Sequence, residues 1–347
     1  MGLPRSTYVQ EGEIGTYHCT TRCVRRAFLC GFDPQTGRDF SHRKARISKR
    51  LRFLVSIFAV EVSSFSVMEN HYHTTLRIRP DIADRWSDRE VASRWLTLCP
   101  KRQRSKKANN VPVEEQIHNL VLCTDRITEL RKRLCSLSWF MKHLNEFIAR
   151  SANKEDGVKG RFWESRFKCQ ALLDDAAIAA CMVYVDLNPI RAGLAAAPEC
   201  SDFTSIQERI RSWQQETSTK VPLSQNPSTT PNNESFHDTW LCPIASVGDH
   251  RGILPMTVEE YFELVDASGR MIRPDKRGFI DNDLAPILLR IGANPEAWSD
   301  TISNFGKKFS LVAGLISNLR NFADQIGKRW VTGLSAARIA FASSPSK

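Results

Sequence analysis

Two histidines one residue apart, His71-Tyr72-His73, carry the clearest chemical signal in this chain. Side chains alternate along a strand, so in extended backbone both imidazoles face one way and Tyr72 the other. Such a pair can hold one metal ion, and Tyr72, aimed at the opposite face, is poorly placed to act as a nucleophile there. A second segment, Val183-Tyr-Val-Asp-Leu-Asn-Pro-Ile-Arg-Ala-Gly193, offers Tyr184 and Asn188 four residues apart. On a helix that spacing sets both on one face, one turn apart. If that face meets the histidines, two imidazole nitrogens and an amide oxygen surround an ion beside a phenol. Open coordination positions would take water and a phosphate oxygen. Mixed nitrogen and oxygen ligands of this kind suit Mg²⁺ or Mn²⁺, whereas zinc favours a thiolate or a third histidine. The ion would act as a Lewis acid on the phosphate, and the phenol would attack phosphorus to leave a covalent phosphotyrosine. Phenols ionise only near pH ~10, so a neighbouring metal charge would help remove the proton. Holding the phosphoryl group on the enzyme conserves the broken bond and permits later rejoining. Asp186 falls on another helix face and is not counted as a ligand.

The elements that must position these groups follow from periodicity. Residues 14–24 are rich in β-branched and aromatic side chains and read as a strand. From Ser41, an N-cap, Ile47, Leu51, Leu54, Val55 and Phe58 recur at helical spacing. Residues 59–67 and 71–78 read as two strands joined at Glu69-Asn70, which makes the order β-α-β-β. Helical periodicity returns over 126–150, a short strand is expected at 169–173, and a helix from Ala176 to about Asn188 ends near Pro189.

Substrate contacts are sought among cations. The polar face of the helix after Ser41 carries Arg43, Lys44, Arg46, Lys49, Arg50 and Arg52, a density that suits phosphate as well as solvent. Arg161, Trp163 and Arg166 form an arginine–aromatic cluster able to stack on bases and pair with phosphates, or to fill core with the arginines reaching outward. His18 and Arg22 share a face of the first strand and can reach substrate. A formal net charge of +11 over 347 residues favours a polyanionic partner, nucleic acid above all.

Ten cysteines without a single CxxC pair argue against a zinc ribbon and read as cytosolic thiols. The N-terminus lacks a signal-peptide core and no run of 18 apolar residues occurs, so neither secretion nor a membrane span is expected. Residues 214–234 are polar and read as a linker. Beyond it, residues 235–347 read as a mainly helical extension of unknown role, with helical stretches at 257–265, 283–291 and 309–327.

Four segments in this order resemble the single-tyrosine HUH transposases, and among them the REP-associated tyrosine transposases. They are Tyr17-His18-Cys-Thr-Thr-Arg22, Val67-Met-Glu-Asn-His-Tyr-His73, Gly160-Arg-Phe-Trp-Glu-Ser-Arg-Phe167 and Tyr184-Val-Asp-Leu-Asn-Pro-Ile-Arg-Ala-Gly-Leu194. The resemblance spans roughly residues 14–210, within a domain drawn at 1–213. It implies a ferredoxin-like α+β sandwich, with His71 and His73 as metal ligands, Asn188 as a third and Tyr184 as the nucleophile. The implied reaction is cleavage of single-stranded DNA beside imperfect palindromic hairpins, giving a 5′-phosphotyrosine and a free 3′-hydroxyl, in a cytoplasmic, nucleoid-associated protein acting alone or as a homodimer. The chain departs from the pattern in the long interval from His73 to Tyr184, which implies an insertion over 84–134, and in Glu69, where proline is common. Two other readings remain: a module that binds hairpin DNA or RNA without cutting it, and a metal-dependent phosphodiesterase in which water attacks and Tyr184 packs.

Overall fold

The computed structural model describes residues 4–24, 30–34, 37–100, 114–219, 240–248, 250–272 and 288–341. Five strands form a mixed α/β arrangement with packed helices: β1 (Gly15–Arg22), β4 (Val60–Val67), β5 (His71–Ile78), β6 (Lys168–Leu172) and β7 (Val312–Ala313), in the sheet order β4-β5-β1-β6-β7. Two short strands, β2 (Phe32–Asp33) and β3 (Arg38–Asp39), pair separately. β1 and β6 run antiparallel with His18 opposite Gln170 and Tyr17 opposite Ala171. By chain contacts the molecule divides into two compact units, one of 1–62, 69–72 and 76–172, the other of 63–68, 73–75 and 173–347.

In the first unit, α1 (His42–Ile57) and α6 (Leu137–Glu155) pack through apolar stripes, Ile47, Leu51 and Leu54 on one and Phe140, Met141, Leu144 and Ile148 on the other. Phe58, the α1 C-cap, meets Phe140 edge-on at 5.5 Å. The helical periodicity over 126–150 belongs to two helices, α5 (Thr124–Leu134) and α6. The Leu134 carbonyl accepts from Ala59 N (2.8 Å) and Ser136 is extended, which ends one helix and starts the next. The apolar stripe hides this break because both helices present it to one core. The stretch 84–134, expected as an insertion, holds α3 (Asp88–Leu98), which follows the single turn α2 (Pro80–Ala83), then α4 (Glu114–Val121) and α5. Val91, Ala92 and Leu96 of α3 are buried. Lys101, Arg102, Arg104, Lys106, Lys107, Asn109, Asn110 and Pro112 lie outside the described residues.

The second unit is built around α7 (Asp175–Asp186), whose first ten residues other than Asp175 are buried almost throughout. Asp174 caps it, accepting from Ala177 N at 3.0 Å. The same carboxylate accepts from Leu315 N (2.6 Å) and Asn318 Nδ2 (2.9 Å), tying the start of the helix to a distant loop. α7 stops at Asp186, and Asn188–Arg191 form the separate turn α8, a shorter helix than the reading to Asn188. α9 (Ser205–Thr219) extends into the expected linker, so 214–219 are helical; the rest of that stretch, 220–234, lies outside the described residues. Trp213 Nε1 donates to Glu259 Oε1 (3.0 Å), a contact to α10 (Val258–Ile272).

The stretch expected as one helix over 309–327 instead holds β7 and α12 (Ile316–Gln325), preceded by α11 (Trp298–Lys308) and followed by α13 (Leu334–Ala340). Within 283–291 only 288–291 are described, of which 288–290 are helical. Among the described residues no helix is long and apolar enough to cross a membrane.

Candidate active site and nucleic-acid interface

β5 is continuous from His71 to Ile78, so His71 and His73 share one face and Tyr72 takes the other. Tyr72 is fully buried in the first unit. Its hydroxyl donates to Asn145 Oδ1 (2.6 Å) and accepts from Thr21 Oγ1 (3.3 Å), and Trp163 meets its ring edge-on. Burial raises the Tyr72 phenol far above its ordinary range, so it is a structural hydroxyl.

His71 is half-buried. Burial first, and the charge of Arg22 second, push its pKa down to about 4, so the ring is neutral at physiological pH. A metal ligand must be unprotonated. With the proton on Nδ1, His71 donates to Asn70 Oδ1 (2.5 Å). On neighbouring β1, His18 is also buried, and burial drives its pKa to about 4 against a hydrogen bond with Gln170. The Gln170 Nε2 is buried without a hydrogen-bond partner. Sequence reading passed over Gln170, whose only signal is a polar residue at an inward strand position.

In the second unit, His73 is buried and its ring stands edge-on to that of Tyr184, with centroids 5.6 Å apart at 89°. Asn188 Nδ2 donates to the Tyr184 backbone carbonyl at 2.9 Å. That use of the amide nitrogen leaves the amide oxygen as the group able to meet an ion. Among the described residues no three His, Cys, Asp or Glu side chains cluster as a metal site. An amide oxygen is chemically suited to complete such a set for Mg²⁺ or Mn²⁺.

Three further residues touch Tyr184, none of them expected. The Phe305 ring lies 5.9 Å away at a 34° tilt, the Arg191 guanidinium lies 5.0 Å over the Tyr184 ring, and a Cβ built on Gly306 would sit 3.3 Å from the Tyr184 hydroxyl. Phe305 and Gly306 lie in the extension, and no spacing rule connects them to Tyr184. Asp186 faces elsewhere, fully buried, accepting from Ser205 Oγ, from Ile206 N (3.1 Å) and from Tyr261 Oη (2.6 Å).

The cations fall into two groups within the first unit. Arg43 is not on the exposed face of α1: it is buried, with Nη2 2.5 Å from Asp156 Oδ1 and 3.3 Å from Glu155 Oε1. Arg46 pairs with Glu155 Oε2 at 3.0 Å, and His42 with Glu155 Oε1 at 2.9 Å. Lys49 is exposed and Lys44 half-buried, while Arg50 lies between the Phe53 and Phe147 rings (4.8 and 4.7 Å). Arg22, Arg161 and Arg166 are exposed. The loop holding Arg161 and Trp163 is stitched to the end of β1, with Glu164 N donating to Arg22 O (3.0 Å) and Val24 N to Phe162 O (2.9 Å). Trp163 is half-buried and donates through Nε1 to Asn145 O (3.0 Å).

No family model matches this sequence, and no curated protein matches it. Among solved structures the chain is similar to one described as "Structure of the REP associates tyrosine transposase bound to a REP hairpin", at 12% identity and a TM-score of 0.35, over 66% of this chain and 94% of that one.

Proposed function

We propose that this chain is a metal-dependent enzyme that cleaves and rejoins single-stranded DNA beside hairpins, with Tyr184 as nucleophile, as in the transposases its motifs resemble. The observation that carries the reading is the edge-on contact of His73 with Tyr184 (5.6 Å), between side chains from far-apart segments. A neutral His71 on the same strand face supports it, as does the order of the four motifs. The fold this reading expects is a ferredoxin-like sandwich.

In the reaction, the phenol loses its proton, the Tyr184 oxygen bonds to phosphorus, and the bond from phosphorus to the 3′ oxygen breaks. The departing 3′ oxygen takes up a proton, which leaves a 5′-phosphotyrosine and a free 3′-hydroxyl. Attack by a 3′-hydroxyl on the phosphotyrosine reverses these bonds and frees the phenol, so strands are rejoined without an external energy source. A divalent ion, Mg²⁺ or Mn²⁺, held by His71, His73 and Asn188, would supply Lewis-acid stabilisation of the phosphate. Exposed Arg22, Lys49, Arg161 and Arg166 would hold the DNA backbone, and Trp163 would offer an edge for a base.

Incubation with labelled hairpin DNA and Mn²⁺, followed by denaturation, tests the reading. A covalent adduct that disappears in Tyr184→Phe is expected. Cleavage that persists in Tyr184→Phe would favour attack by water, a reading to which the packing of Phe305 on the Tyr184 ring gives some support. Binding without cleavage would make the protein a hairpin-binding module.

A further inference from the structure

We infer that α11 belongs to the reaction centre: it seats the Tyr184 phenol through Phe305 and Gly306, and it fixes Arg191 as the cation that meets the scissile phosphate. The inference rests on the reading of Tyr184 as nucleophile and assigns roles to residues which that reading leaves unused.

α11 is itself firmly placed. Trp298, Thr301, Ile302 and Phe305 are its buried face, and Trp298 Nε1 donates to Ser268 Oγ of α10 at 2.8 Å. One turn after Ile302 this face reaches Tyr184. The Tyr184 ring has His73 edge-on to it and Phe305 tilted against it. Two aromatic neighbours at these distances restrict how the phenol can swing.

Gly306 sets how closely the helix approaches. Glycine inside a helix costs about 1 kcal/mol relative to alanine, so helix propensity does not account for it. Its Cβ position lies 3.3 Å from the Tyr184 hydroxyl and 3.8 Å from Cζ, tighter than ordinary contact at the oxygen. A side chain longer than a methyl would occupy the space of the phenol oxygen, the atom that must bond to phosphorus.

Arg191 is fixed by the same helix. One guanidinium nitrogen, Nη2, donates to the Ser303 carbonyl, and the group stands over the Tyr184 ring at 5.0 Å. A guanidinium has five N–H donors in a rigid fork, and the side chain is exposed, so further donors remain for a ligand. A phosphate brought to the Tyr184 oxygen comes within reach of a cation already oriented, which is the geometry that favours charge-assisted binding of phosphoryl oxygens. Arg191 is therefore assigned substrate contact, and Ser303, Phe305 and Gly306 positioning.

The test uses the full chain labelled with 3-fluorotyrosine, read by ¹⁹F NMR. The chain has five tyrosines, and Tyr184→Phe identifies the Tyr184 resonance by its loss. Gly306→Leu is expected to shift that resonance and leave the others in place. In single-turnover adduct formation on hairpin DNA with Mn²⁺ it should slow the reaction roughly 100-fold, with hairpin binding unchanged. Arg191→Ala should slow adduct formation by about 10²-fold or more, and Arg191→Lys should recover part of the loss by keeping charge without the fork. Should Gly306→Leu fail to fold, Gly306→Ala gives the same resonance shift with a smaller rate effect. An unmoved Tyr184 resonance in folded Gly306 variants, or full activity in Arg191→Ala, overturns the inference while the nucleophile stands. Absence of any adduct in the wild-type protein overturns the nucleophile, and the assignment of Arg191 with it.

Discussion

The side-chain amide of Asn188 donates to the backbone carbonyl of Tyr184 across 2.9 Å, even though α7 has already ended between them. The bond bridges the end of one helix and the start of the next, and it fixes which end of the amide is left for a ligand. Asn188→Ala is expected to weaken Mn²⁺ binding about 10-fold or more, measured by the EPR signal of free Mn²⁺. Unchanged Mn²⁺ affinity would remove Asn188 from the ligand set.

Tyr72 supplies the control for Tyr184. Its hydroxyl is committed to Asn145 and Thr21, so Tyr72→Phe should cost roughly 1 kcal/mol of stability and leave covalent adduct formation intact. Adduct lost in Tyr72→Phe but kept in Tyr184→Phe would exchange the two roles.

Glu155 gathers His42, Arg43 and Arg46. Burial alone would raise its carboxyl, but the hydrogen bonds from His42 and Arg43, the Arg43 charge and a hydrogen bond from Arg46 outweigh it and bring the pKa down to about 2. A depressed carboxyl stabilises the fold above its unfolded value of 4.5, and the benefit is lost as pH falls toward 2. Glu155→Gln is therefore expected to cost roughly 1–2 kcal/mol at pH 7, after allowance for partial exposure. Urea midpoints of the two proteins should converge as pH is lowered from 5 to about 3. A gap that stays constant with pH would assign the cost to lost packing.

Arg43 and Lys49 stand on one helix but should behave differently. Lys49 is exposed, and Lys49→Ala should lower affinity for single-stranded DNA and reduce the slope of log affinity against log salt by about 0.7. Arg43 is enclosed by Asp156 and Glu155, so Arg43→Ala should lower the melting temperature and leave that slope unchanged. Fluorescence anisotropy across a KCl series separates them, and equal slope changes would contradict the burial of Arg43.

Much of the scaffold was legible because strand and helix periods are local. β1, β4, β5 and β6 lie within a residue or two of where alternation sets them, and Tyr72 faces away from its neighbouring histidines for the same reason. What failed required knowledge of distant partners. Arg43 has the spacing of an exposed basic residue, yet its carboxylates come more than a hundred residues later. The break at Cys135–Ser136 depends on a hydrogen bond from Ala59, and the neighbours Phe305 and Gly306 belong to a segment whose composition suggests only packing.

The three hydrogen bonds received by Asp174 bear on any attempt to trim this protein. Two of their donors, Leu315 and Asn318, and the strand partner Ala313 that accepts from Leu173 N at 2.9 Å, all come from the final third of the chain. A shortened version ending at the polar stretch would strand a carboxylate and a sheet edge at the root of the helix that carries Tyr184. The apparent appendage is thus a keystone, and evolution could discard it only by rebuilding the ground on which Tyr184 stands.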